Sequence, residues 1–136
     1  MSQERETGAE RLLATLLDEY GGALRSVVEY RPSESHIHYL REDIERDAAS
    51  GRLVRIDQLY QAERLNNSPI TNDPELDRLH VSIFCFDGAI VVHIVDRGGA
   101  VVGFSLDPDT HLELPAVGGY YEDAFGTAPA SLEALR

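Results

Sequence analysis

The stretch that decides the fold is Leu79-His80-Val81-Ser82-Ile83-Phe84-Cys85-Phe86-Asp87-Gly88-Ala89-Ile90-Val91-Val92-His93-Ile94-Val95-Asp96-Arg97-Gly98-Gly99-Ala100-Val101-Val102-Gly103-Phe104-Ser105-Leu106. Three apolar runs rich in β-branched and aromatic residues are separated by two short turn signals. Asp87-Gly88 predicts a tight hairpin with positive φ at both central residues. Asp96-Arg97-Gly98-Gly99 is the second turn. Three consecutive strands with short turns form an antiparallel meander. Within it Ile83 and Cys85 alternate with Phe84 and Phe86, and Ile90, Val92 and Ile94 alternate with Val91 and Val95. Both faces are therefore apolar. A sheet wetted on one side carries polar residues there, so both faces of this one are covered, by the chain's own helices or by a partner chain.

Working outward, residues 5–20 carry Leu12, Leu13, Leu16, Leu17 and Tyr20 at the spacing of one helical face, and Gly21-Gly22 ends the helix. Leu24 to Tyr30 and His36 to Leu40 read as two strands of a hairpin around the turn Arg31-Pro32-Ser33-Glu34-Ser35. Leu40, Ile44 and Ala48 then recur every fourth residue, with Gly51 as a stop, and Leu53, Ile56, Leu59 and Tyr60 continue as a second helical stripe. Residues 66–77 are a loop. After the meander, Asp107-Pro108-Asp109-Thr110 offers capping chemistry for a last helix through Leu112, Leu114 and Tyr121. The expected fold is α+β: a five-stranded antiparallel sheet, built from a hairpin and a three-stranded meander, with packed helices in the order α-β-β-α-β-β-β-α. One domain accounts for residues 1–136, with its core over 5–125 and residues 126–136 as a flexible or short helical tail.

Composition narrows the function. The chain has 136 residues, enough to bury a core without disulfides. Its 24 acidic residues outweigh 12 basic ones, a formal charge of −12, and all the basic residues are arginine. At molar salt the Debye length falls to about 3 Å, and repulsion among carboxylates is screened. The acidic residues are spread along the chain, as on a solvated surface adapted to salt. The same charge repels phosphate backbones and anionic lipids, so neither nucleic acid nor a membrane is an expected partner. No apolar run is long enough to span a bilayer, and the acidic N-terminus lacks a signal-peptide pattern, so a cytoplasmic location is expected. A single cysteine, Cys85, excludes an internal disulfide.

The order of elements resembles that of roadblock-type, profilin-like domains and, more loosely, GAF and PAS sensor domains. Tyr39-Leu40-Arg41-Glu42-Asp43-Ile44 and the meander from Phe84 to His93, closed by Val102-Gly103-Phe104-Ser105-Leu106-Asp107, are similar to segments of small uncharacterised proteins of halophilic archaea. The roadblock resemblance implies a non-enzymatic homodimeric platform for a small GTPase or signalling protein. The sensor resemblance implies a small molecule held between sheet and helix.

No catalytic motif is present, and no cofactor or catalytic residue is expected. His36 and His38, two apart on a strand, share a face and have the spacing of paired metal ligands. A third ligand would have to come from Glu29, His80, His93 or His111, and a solvated polar face is the simpler reading. His93 lies inside an apolar strand, where a hydrogen-bonded core imidazole is the ordinary outcome. Cys85, between two phenylalanines, lacks the basic setting of a nucleophile. Phe84, Phe86, Phe104, Tyr120 and Tyr121 are the candidates for an interface or a pocket wall. The charge balance generates a first prediction. The thermal midpoint, followed by circular dichroism, rises between about 0.1 M and 2 M KCl; a flat or falling midpoint contradicts salt adaptation.

Overall fold

Thr7 accepts a hydrogen bond from the backbone N–H of Glu10 at 3.1 Å and so caps the helix α1, Gly8–Tyr20. Gly21, with φ of 51°, ends it, and a 3₁₀ turn, Gly21–Ala23, leads into the sheet. The computed structural model describes residues 7–31, 34–52, 74–96 and 99–135. Strands β1 (Leu24–Arg31) and β2 (Glu34–Leu40) form the expected hairpin. A helix, α2, is described over residues 46–52. Strands β3 (Val81–Cys85), β4 (Ile90–Val95) and β5 (Val101–Leu106) form the meander, followed by α3 (Leu114–Phe125) and α4 (Ala130–Glu133). The protein is an α+β fold with a five-stranded antiparallel sheet in the order β2-β1-β5-β4-β3. Hairpin and meander join where β1 lies against β5, with Val27 opposite Phe104 and Glu29 opposite Val102. No described helix is long and apolar enough to cross a membrane.

One face of the sheet lies under α1 and α3. Leu12 and Leu16 of α1 meet Val27, Val92, Ile94 and Phe104 of the sheet and Val117 and Tyr120 of α3 in one buried cluster. Removing this much apolar surface from water contributes roughly 1.5–3 kcal/mol for each fully buried large side chain. The two helices approach so closely that a Cβ on Gly8 would sit 1.8 Å from the Ala124 carbonyl oxygen. Ala128 and Leu132, in the last stretch of chain, are buried in the same cluster. On the opposite face Tyr30 and Val101 form a second, smaller cluster with Val28, Ile37 and Val95 against them.

Several local expectations are corrected. Neither Asp87 nor Gly88 has a positive φ. The last ladder pair is Cys85 with Ile90, so the loop is four residues long, and the Phe86 N–H closes it on the Ala89 carbonyl at 2.8 Å. Loops of that length are usually built around a type I turn, which needs no positive φ. Gly51 does not stop α2, which continues through residue 52. The stripe from Leu53 to Tyr60, and with it whether 41–65 is one helix or two, lies outside the described residues. Asp107 caps no helix. Helix α3 starts at Leu114, with Pro115 in its first turn, where a missing N–H costs nothing.

Asp107 instead binds Arg41. The Arg41 guanidinium donates to both Asp107 oxygens at 2.9 and 3.0 Å, to both Asp43 oxygens at 2.6 and 3.0 Å, and to the Gly22 carbonyl at 2.8 Å. Hydrogen bonds from Arg41 hold the Asp107 and Asp43 carboxyls below their usual pKa range. A planar fork with five donors makes this bridge; an ammonium cannot reach all three partners at once. Arg41→Lys is therefore expected to lower the thermal midpoint by about 3 °C, less in molar salt than in dilute buffer. An unchanged midpoint in dilute buffer would show that the fork adds nothing beyond its charge.

Candidate functional site

The face of the sheet away from α1 and α3 is not sealed. A cavity of about 370 Å³ opens between it and α2. Three local features of the chain create it. The first is in β1. Leu24 pairs with Leu106 and Ser26 with Ser105, so Arg25 is an extra residue in the ladder. Such a bulge re-aims a side chain, and Arg25 lines the cavity. The second is Gly103, which faces His93 across the β4–β5 pair. A Cβ there would lie 3.0 Å from His93 Cδ2 and 3.4 Å from Val28 Cγ2, so glycine leaves the imidazole its room. The third is Ala49 of α2, a small residue, 6% exposed, at the opposite wall.

The lining has two characters. Tyr30, Val28, Val91 and Phe86 supply apolar surface. The Ser26 and Ser105 hydroxyls, 2.6 Å apart and hydrogen-bonded to each other, supply a polar spot beside Arg25, and Arg52 stands at the α2 side. None of the described lining residues is an aspartate or glutamate. His93, 3% exposed, stands among aromatic rings, with centroids 5.3 Å from Phe84 and 6.3 Å from Tyr30. Burial pushes its pKa down to about 4, so the imidazole is neutral at neutral pH.

The family model for a domain of unknown function, DUF7522, matches residues 10–125, which take in every described strand, α2, α3 and most of α1. The chain belongs to that family. No curated protein and no solved structure matches it.

The five aromatic candidates do not form one site. Phe84 and Phe86 stack at 6.3 Å on the cavity side of the sheet, and Phe86 is 60% exposed. Phe104 borders the cavity, but its ring packs at 5.6 Å against Tyr120 within the core on the other face. Tyr120 donates to Glu19 and shares a hydrogen bond of 2.7 Å with Tyr20; burial and the Glu19 carboxylate raise its pKa. Tyr121 packs against Phe125 and His80. The two tyrosines thus anchor α3. Of the three phenylalanines, Phe86 and Phe104 line the cavity, while strand alternation turns the Phe104 ring towards the helix-covered face.

The histidines also separate. His38 donates through Nε2 to Glu29 at 2.9 Å, and Arg31 donates to the other Glu29 oxygen at 2.8 Å. Burial alone would raise the Glu29 pKa; the bonds from His38 and Arg31 outweigh it and hold the carboxyl below its usual range. His36, beside His38 at a ring separation of 6.1 Å, reaches Glu34 at 3.6 Å instead. Among the described residues no three His, Cys, Asp or Glu groups are placed to hold a metal ion. Cys85 is exposed at the end of the edge strand, not enclosed in an apolar strand interior.

Sequence reasoning missed Arg25, Ser26, Ser105 and Gly103. The signal for Arg25, Ser26 and Ser105 is a ladder irregularity and that for Gly103 is its place opposite His93, and both need two strands to be seen. The titration of His93 gives a prediction. An unfolded chain protonates this histidine below pH 6.5, whereas the folded chain resists until about 4. The unfolded state thus binds more protons across that window, and stability falls as pH falls through it. A loss of about 2 to 3 kcal/mol by pH 4.5 is expected for the native chain in urea unfolding, and a much shallower slope for His93→Phe. Equal slopes for the two proteins would mean that His93 is hydrated in the fold.

Proposed function

We propose that this chain is a non-catalytic interaction or regulatory protein of a salt-adapted archaeal cytoplasm, working as a homodimeric platform of the roadblock-like kind. The single observation that carries the reading is the contrast between the two edges of the sheet. At one edge, β2 begins with Glu34, Ser35 and His36, all exposed. Charged and polar residues discourage a second strand from pairing there. At the other edge, β3 has β4 on one side and, among the described residues, no strand on the other. It carries no charged residue, Ile83 within it is 36% exposed, and Phe86, just past its end, is 60% exposed. An uncharged edge strand with exposed apolar residues is a template for another strand. A second copy offers the same edge, and a two-fold pairing extends the sheet from one molecule into the next. The surface made by the joined sheets is then the platform on which a GTPase or other signalling partner is held.

A second reading, a small-molecule sensor of GAF or PAS type, is favoured by the cavity under α2, whose size lies in the range of ordinary ligand sites. The platform reading is tested by light scattering on a sizing column in about 2 M KCl, where charge repulsion is screened. The native chain is expected at dimer mass and Ile83→Lys at monomer mass, while Ser35→Lys on the far edge leaves the dimer intact. A native monomer at micromolar concentration contradicts the platform.

A further inference from the structure

The cavity has a polarity that selects its occupant. We infer that it binds a small amphipathic carboxylate, an apolar ring or short branched chain bearing one carboxyl group. The inference rests on the second of the two readings above and gives it a ligand class.

The argument begins with charge. In a chain with 24 acidic and 12 basic residues, a wall chosen at random would carry more carboxylates than guanidiniums. This wall has Arg25 and Arg52 and, among its described residues, no acid. The described part of the wall therefore offers guanidiniums and no carboxylate in an otherwise negative molecule, which favours an anion over a neutral or cationic compound.

Arg25 is placed for this role by the bulge, and its partner leaves it available. Its Nη1 lies 3.8 Å from Asp107, whereas Arg41 holds both oxygens of that aspartate at 2.9 and 3.0 Å. Asp107 is thus neutralised mainly by Arg41, and the Arg25 guanidinium keeps donors for a second carboxylate. The Ser26–Ser105 pair adds to the same spot. In a hydroxyl pair only one hydrogen lies between the two oxygens, so one O–H remains to donate to a further acceptor.

The rest of the wall sets the body of the ligand. Phe86, Tyr30, Val28 and Val91 offer apolar surface, and the neutral His93 adds no charge. In molar salt an exposed ion pair is screened, whereas one partly enclosed, as at Arg25, is screened much less. A compact anion such as phosphate offers nothing to the apolar wall and keeps its hydration in solution. A ring with a carboxylate keeps the apolar part of its binding and uses the guanidinium for orientation. A volume of about 370 Å³ admits one or two fused rings.

The test is isothermal titration calorimetry of the full chain in about 1 M KCl with three probes: phenylacetate, its neutral isostere phenylacetamide, and inorganic phosphate. Phenylacetate is expected to bind at one site per chain, at least about tenfold more tightly than the amide, with no heat from phosphate. In Arg25→Gln the phenylacetate affinity is expected to fall about tenfold, to the level of the amide. Because Asp107 stays bound to Arg41 in that variant, its fold is retained, which an unchanged circular dichroism spectrum verifies. Equal binding of acid and amide overturns the carboxylate class while the cavity stands as a ligand site. Phosphate binding as tight as that of phenylacetate overturns the role of the apolar wall. Silence toward all three probes overturns the cavity as a ligand site and the sensor reading with it.

Discussion

One guanidinium fixes how the two halves of the sheet are held. Arg41 follows the last residue of β2, yet it donates to Gly22 before β1, to Asp43 ahead of α2 and to Asp107 at the end of β5. The backbone repeats the connection, since Arg41 N–H donates to the Arg25 carbonyl and Asp107 N–H to the Ala23 carbonyl, each at 2.9 Å. Hairpin and meander are more than 40 residues apart in the chain, and closing so long a loop costs entropy that local contacts do not return. The network sits where that cost is met. It also explains why a segment around Arg41 and a segment around Asp107 stand out together in the sequence: they are two halves of one hydrogen-bonded unit.

The sheet then divides its two faces between different tasks. The face under α1 and α3 is closed by leucines, valines and the Tyr20–Tyr120 pair, with α1 and α3 nearly in backbone contact at Gly8. Such packing has one well-filled arrangement and resists change. The opposite face has fewer large side chains, a glycine at its centre, a strand irregularity at one end and a buried neutral imidazole. Room is left on that side by small residues in sequence, not by an accident of packing. The large buried side chains are concentrated on one face, and the cavity lies on the other.

The strands were legible because alternation and turn residues are local signals, and the meander and hairpin carry both. The pairing of β1 with β5 was not, since nothing within either segment names its partner. The same holds for Asp107. Beside Pro108 and Thr110 it has the composition of a helix cap, and only the arrival of Arg41 from a distant segment shows its use. Gly51 followed a helical stripe and looked like a stop, but a glycine inside a helix costs about 1 kcal/mol, which packing can offset. Of the site, Phe86 was legible as an aromatic worth watching. Arg25 was one arginine among twelve until the ladder irregularity set it apart.

The unlike edges of the sheet also bear on how many copies an assembly holds. A sheet that offered two receptive edges would add molecules at both ends and grow into a ribbon. Here one edge opens with a glutamate and a histidine, while the other presents isoleucine and phenylalanine. When two receptive edges meet about a two-fold axis they use each other up, and what remains at both ends is the charged edge. In the proposed platform, growth thus terminates at two by geometry, with no further device needed to stop it. In molar salt, where long-range repulsion is screened, that geometry alone would limit the proposed assembly.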